Sequence, residues 1–181
     1  MHRRLAAALV LFTTLSAFAQ STVPSLCRPD EKVYFSCVTV NERIASVCGA
    51  KNFDAGNPYL QYRYGHIGKL PELSFPKVPT PPRGLFEFSN SGFGAKASVR
   101  NLRFHIGEYT YVVFRSTAAF DPETAGVQVS RSDSKTTRIE CKPNVYSEGI
   151  GVKGTYYTDE QHFYEIQNLG LPEVPRNELV D

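Results

Sequence analysis

Four cysteines constrain this chain more than any other feature: Cys27, Cys37 and Cys48 stand close together near its start, and Cys141 lies far downstream. They follow a segment that reads as a secretory leader. His2, Arg3 and Arg4 form its positive start, residues 5–15 its apolar stretch, and Ala17-Phe18-Ala19 an A-x-A cleavage site. The apolar stretch is too short to span a bilayer as a helix. Cys27 follows Pro24-Ser25-Leu26, without a small residue just before it, so no lipid anchor is expected. Residues 1–19 are assigned to a signal peptide and residues 20–181 to one disulfide-stapled domain. An even cysteine count in an oxidising compartment predicts two disulfides, and the expected location is periplasmic or secreted. The chain has no N-x-[ST] acceptor, which favours a bacterial periplasm over a eukaryotic secretory route.

The first hairpin ranks the possible pairings. Residues 33–40 and 43–48 read as two strands around Asn41-Glu42. A two-residue loop would pair Cys37 with Ser46 and Phe35 with Cys48. Cys37 and Cys48 would then share a face but sit diagonally, too far apart for an easy bond. Cys27 precedes the first strand, near the end of the hairpin where Cys48 falls. The expected bonds are therefore Cys27–Cys48 and Cys37–Cys141. No two cysteines have C-x2-C spacing, which argues against a zinc site or a redox pair.

The rest of the chain reads as short strands separated by turn residues. Residues 59–64 and 70–75 flank Gly65-His66-Ile67-Gly68-Lys69, and Pro71 delays the second strand or places it at an edge. Pro76, Pro79, Pro81 and Pro82 hold an extended segment that crosses between two sheets. Residues 85–88 lead into an exposed loop at 89–95, rich in Gly and Ser. Residues 98–105 and 108–115 make the clearest hairpin. Its second strand is apolar on both faces, as a central strand requires. A further hairpin joins 125–131 to 136–141. Thr158-Asp159-Glu160-Gln161 is a capping box, and Phe163, Ile166 and Leu169 recur at helical spacing before Gly170. One helix is expected at 159–169, then a frayed tail from Leu171. The fold class is all-β: an antiparallel barrel or sandwich of about 8–10 strands with one short C-terminal helix.

Composition narrows the function. With 41% apolar, 21% charged and 12% aromatic residues, the chain is neither disordered, collagen-like nor a polytopic membrane protein. The 20 Lys and Arg of the whole chain, less Arg3 and Arg4 of the leader, balance its 18 Asp and Glu. That balance argues against a nucleic-acid partner or an anionic membrane surface. His66, His105 and His162 lack metal-ligand spacing, and no G-x-S-x-G, S-x-x-K, H-E-x-x-H or phosphate-binding glycine loop occurs. Carboxylates such as Glu72, Glu87 and Glu108 form no recognisable catalytic pair. Neither a catalytic residue, a metal nor a cofactor is assigned.

Tyrosine and arginine supply broad contact area with a polar end, which suits protein interfaces. Tyr62, Arg63 and Tyr64 on one strand, and Ser91, Gly92, Phe93 and Gly94 in the flexible loop, are the candidate partner-binding residues. The more ordinary use of such tyrosines is to pack the sheet.

The order Cys27-x9-Cys37-x10-Cys48, then residues 59–65, then Glu108-Tyr109-Thr110-Tyr111-Val112-Val113, then Ala125-Gly126-Val127-x-Val129, then Ile139-Glu140-Cys141, resembles a family of small exported proteobacterial proteins with uncharacterised function. A looser likeness is to periplasmic C-type lysozyme inhibitors, small disulfide-bearing β-barrels that insert a Ser-Gly loop into the lysozyme cleft. That likeness implies such a role for Ser91-Gly92. The tyrosine expected after the Ser-Gly pair is replaced by Phe93-Gly94, and the second inhibitor motif has no clean counterpart near Lys153-Gly154-Thr155-Tyr156. The expected function is a non-enzymatic periplasmic protein-binding domain. Its partner would be a lysozyme-like enzyme or a secreted toxin, which makes it an inhibitor or an immunity protein. The alternatives are an envelope hydrolase with an unfamiliar site and a small-ligand carrier using the barrel interior.

Overall fold

A computed structural model describes residues 23–51, 58–92, 97–118, 122–131, 136–143, 145–147, 151–154 and 160–174. The leader expected at 1–19 and the tail from residue 175 lie outside the described residues. The chain forms an all-β sandwich. One sheet has four antiparallel strands in the order β1 (Glu31–Val38), β2 (Ile44–Ala50), β3 (Leu60–Gly65) and β4 (Leu73–Thr80). The second has five, in the order β5 (Phe86–Gly92), β6 (Ala97–Ile106), β7 (Tyr109–Ala118), β8 (Thr124–Arg131) and β9 (Thr137–Glu140). A separate small hairpin joins β10 (Val145–Ser147) to β11 (Gly151–Gly154). Within each sheet, strands adjacent in sequence pair antiparallel, so short turns suffice for most connections.

The space between the sheets is packed with aromatic rings. Phe35, Val47, Tyr62 and Phe75 form one row across the four-stranded sheet, and Phe86, Phe104, Tyr111 and Val129 form one across the other. Phe104 stacks on Phe75 at 4.9 Å and on Tyr111 at 5.2 Å, and meets Tyr62 at 5.1 Å. Such contacts add to plain area burial by roughly 0.5–1.5 kcal/mol each. Gly49 lets one of the rings in: a Cβ there would come within 2.6 Å of Tyr34 Cε2. β7 is central, as its two apolar faces require. Val113 faces the shared core, while Val112 and Phe114 form a second buried cluster on the opposite face.

The sheet edges are protected. β1 and the end of β9 close on each other: Lys142 N donates to Val38 O at 2.8 Å and Val40 N to Glu140 O at 2.9 Å. β4 is an edge strand carrying Pro76 and Pro79, which have no N–H to offer a further strand. On β5, Phe88 N donates to Pro172 O at 2.8 Å. The expected frayed tail is thus corrected over 171–174: Leu171 packs on the core and Val174 is buried.

The helix stands where helical spacing put it. α1 (Glu160–Tyr164) runs into a 3-10 helix (Glu165–Leu169), and Gly170 ends it in the left-handed region at φ 64°. Phe163 plugs the sandwich between Phe35 (5.2 Å) and Phe88 (5.8 Å).

Both disulfides form as expected, Cys27–Cys48 and Cys37–Cys141. The hairpin register behind them is corrected by one residue. Cys37 pairs with Ala45 rather than Ser46, and Phe35 with Val47 rather than Cys48. The loop holds three residues, not two, with Glu42 at φ 61° in the left-handed position that closes such a loop. Because side chains alternate, the slip puts Cys37 inside the sandwich and Cys48 on the outer face with Gln61 and Arg63. The two sulfurs are kept apart by the sheet itself.

Candidate functional site

Two hairpin tips lie side by side at one end of the four-stranded sheet, since Ile44 at the start of β2 pairs with Gly65 at the end of β3. In the first tip, Thr39 N donates to Arg43 O at 2.7 Å and Glu42 N to Thr39 O at 3.0 Å. The Thr39 hydroxyl closes the loop again, donating to Arg43 O at 3.0 Å while accepting from Arg43 N at 3.2 Å. In the second, Lys69 N donates to His66 O at 3.2 Å across Gly68, whose φ of 72° a β-branched residue would resist. Arg43 Nε then reaches both Glu72 oxygens at 3.2 Å and ties one tip to the other. His66 Nε2 lies 3.5 Å from the same carboxylate. Lys142 holds Glu42, and the Cys37–Cys141 bond anchors the strand beneath.

Apolar side chains project from this scaffold. Leu70 is 91% exposed, Ile67 61% and Val40 53%. Isolated exposed apolar residues are unremarkable on a protein surface, but these stand on adjoining, cross-tied turns where polar residues are expected. The arrangement is apolar at its tips and ionic at its base. Backbone hydrogen bonds close both turns, which limits the ordering that contact with another molecule would demand.

The outer face of that sheet holds a buried ionic network. Residues 23–30 lie across it as a strap: Ser36 Oγ donates to Pro24 O at 2.7 Å, Leu26 N donates to Ser46 Oγ at 3.1 Å, and Cys27 is bonded to Cys48. Beneath the strap, Arg63 places all its N–H donors on Glu31 Oε1 and Oε2, Gln61 Oε1 and Leu26 O. Tyr59 donates to Glu31 Oε1 at 2.7 Å and Gln61 Nε2 to Pro76 O at 2.7 Å. Burial pushes the Glu31 carboxyl up, but hydrogen bonds from Arg63, the Arg28 amide and Tyr59, with the Arg63 charge, hold it below its ordinary value. Burial and the bond to Glu31 push the Tyr59 hydroxyl up to about 12. These groups are satisfied by one another, so the network locks the strap down. Cys27, Glu31 and Cys48 offer ligand atoms within 4.8 Å of one another, yet both sulfurs are spent in a disulfide.

The expected partner-binding residues are therefore redistributed. Arg63, 5% exposed, belongs to the network, and Tyr62, 1% exposed, lies in the core against Phe104 and Tyr111. Tyr64 is half-buried and packs on the same core. Tyr62 and Arg63 are thus closed to a partner, whereas Tyr64 keeps part of its surface open. Ser91 and Gly92 are not loop residues: they extend β5 and pair with Val99 and Ser98. Phe93 and Gly94 lie outside the described residues. Glu72, Glu87 and Glu108 each meet an arginine, respectively Arg43, Arg103 and Arg131.

Val40, Ile67 and Leu70 went unnoticed in the sequence. Their signal was present, as single apolar residues inside turn segments bounded by Asn, Gly and Pro. Also unforeseen were Ser89 and Asn101, partners across β5 and β6, whose side-chain polar atoms are buried without a hydrogen-bond partner on the outer face of the five-stranded sheet. Compared with known protein families, curated proteins and solved structures, the chain matches none.

Proposed function

We propose that this chain is a non-enzymatic protein-binding domain of the bacterial periplasm. In its most concrete form it is an inhibitor of an envelope-attacking enzyme or an immunity protein against a secreted toxin. One observation carries the reading: Val40, Ile67 and Leu70 project from two hairpin tips that are tied to each other and to a disulfide. A few exposed apolar anchors on a pre-ordered support are what a tight, cleft-filling interface needs. Two disulfides fit an oxidising compartment. Among the described residues no helix is long and apolar enough to cross a membrane. Rings fill the space between the sheets, which weighs against a carrier with an internal ligand.

The test is direct titration of the purified chain against lysozymes and against toxins encoded by neighbouring genes. A complex tighter than micromolar supports the reading. Weaker binding across the whole panel, or turnover of a cell-wall substrate by the chain alone, contradicts it.

A further inference from the structure

We infer that this chain needs a thiol–disulfide isomerase, an enzyme acting through a dithiol, to reach its native pairing. The inference rests on the export reading and on the connectivity, in which first pairs with third cysteine and second with fourth. A chain entering an oxidising compartment N-terminus first presents Cys27 and Cys37 before Cys48, and Cys141 last. A disulfide oxidant acting in that order joins Cys27 to Cys37, and the two electrons and two protons pass to the oxidant. Chain statistics push the same way. Closing the short loop from Cys27 to Cys37 is favoured about threefold over closing the native Cys27–Cys48 loop, with its separation of 21, and about thirtyfold over closing the native Cys37–Cys141 loop, with its separation of 104. Cys48 and Cys141 are then left to each other.

That product is trapped. It has no free thiol, so it cannot begin exchange by itself. It cannot fold either. In the native sheet Cys37 faces the core beside Ala45, while the Cys27–Cys48 bond lies on the outer face, so Cys27 could reach Cys37 only through the sheet. Cys141 bridges to Thr39, whereas Cys48 pairs with Val33. Those two points on β1 are about 20 Å apart at the rise of a strand. A disulfide spans only about 4.4–6.8 Å between Cα atoms.

Escape takes three exchanges with no net oxidation. The isomerase thiolate attacks Cys37, forms a mixed disulfide and releases the Cys27 thiolate. Cys27 attacks Cys48, forming Cys27–Cys48 and releasing the Cys141 thiolate. Cys141 then attacks Cys37, forming Cys37–Cys141 and returning the isomerase thiolate. Folding draws the exchange forward because Cys37 and Cys48 are fully buried.

The test expresses the full chain in bacterial strains with and without a periplasmic dithiol isomerase. Thiols are trapped by alkylation in denaturant and the bonds mapped by mass spectrometry, a readout that does not require a folded product. Loss of the isomerase is expected to cut the native pairs at least threefold, with Cys27–Cys37 and Cys48–Cys141 peptides in their place. The Cys37→Ala/Cys141→Ala variant should form Cys27–Cys48 equally in both strains. Equal native yield in the two strains, or a double variant that still needs the isomerase, overturns the inference. A chain retained inside the cell with four thiols overturns instead the export reading beneath it.

Discussion

Glu31 shows what one buried charge does for this fold. Its carboxylate and the Arg63 guanidinium are sealed under the strap, so Glu31→Gln leaves a buried guanidinium poorly paired and should cost roughly 3–5 kcal/mol in urea unfolding. The pH dependence has a definite sign. Glu31 sits below its ordinary value of 4.5 in the folded chain, so its contribution is complete above that pH and drains away as the pH falls further. Unfolding curves of the native chain should weaken below about pH 4.5, and those of the Gln variant should weaken less. A flat profile in the native chain would contradict this. Asn101 is the opposite case. Its side-chain atoms are buried without partners, so Asn101→Leu should leave stability unchanged or raise it by about 1 kcal/mol, read from the urea midpoint. Neither role was legible in the sequence. An arginine between two tyrosines on a strand looks the same whether it meets solvent or a buried carboxylate. Only the strap, set by a disulfide, decides which.

Among the elements, strands with clear alternation and hairpins with clear turns were readable: β6, β7 and α1 stand close to their expected places. The first hairpin was readable in kind but not in register, because Val40, Asn41 and Glu42 fit a two- or a three-residue loop equally well by composition. Glu42 accepts the left-handed backbone without being a glycine, and that choice moved every side chain of β1 relative to β2. Ser91 and Gly92 were misread because small polar residues suggest a loop, whereas pairing with β6 carries the strand through them. The helix contributes through one side chain above all. Phe163 joins Phe35 to Phe88, and Phe163→Ala should cost roughly 3–5 kcal/mol by leaving a cavity between the sheets. A loss under 1 kcal/mol by urea unfolding would mean the helix is only an appendage.

At the scale of the molecule, the two disulfides do different work. Cys27–Cys48 ties a strap to one sheet with a separation of 21, and Cys37–Cys141 joins the two sheets with a separation of 104. In the chain-entropy account the first stabilises by about 3 kcal/mol and the second by about 4.7 kcal/mol. Removing Cys37–Cys141 should therefore lower the urea midpoint more than removing Cys27–Cys48. It should also loosen the tip scaffold, which is anchored on it. This braced pair of tips is the proposed working surface. The most direct measurement is isothermal titration of an identified partner with the native chain and with Ile67→Asp/Leu70→Asp, whose exposed positions leave the core untouched. A submicromolar complex weakened at least tenfold by the double variant, with unchanged unfolding curves, is the predicted result. Equal affinity for the two chains would contradict it.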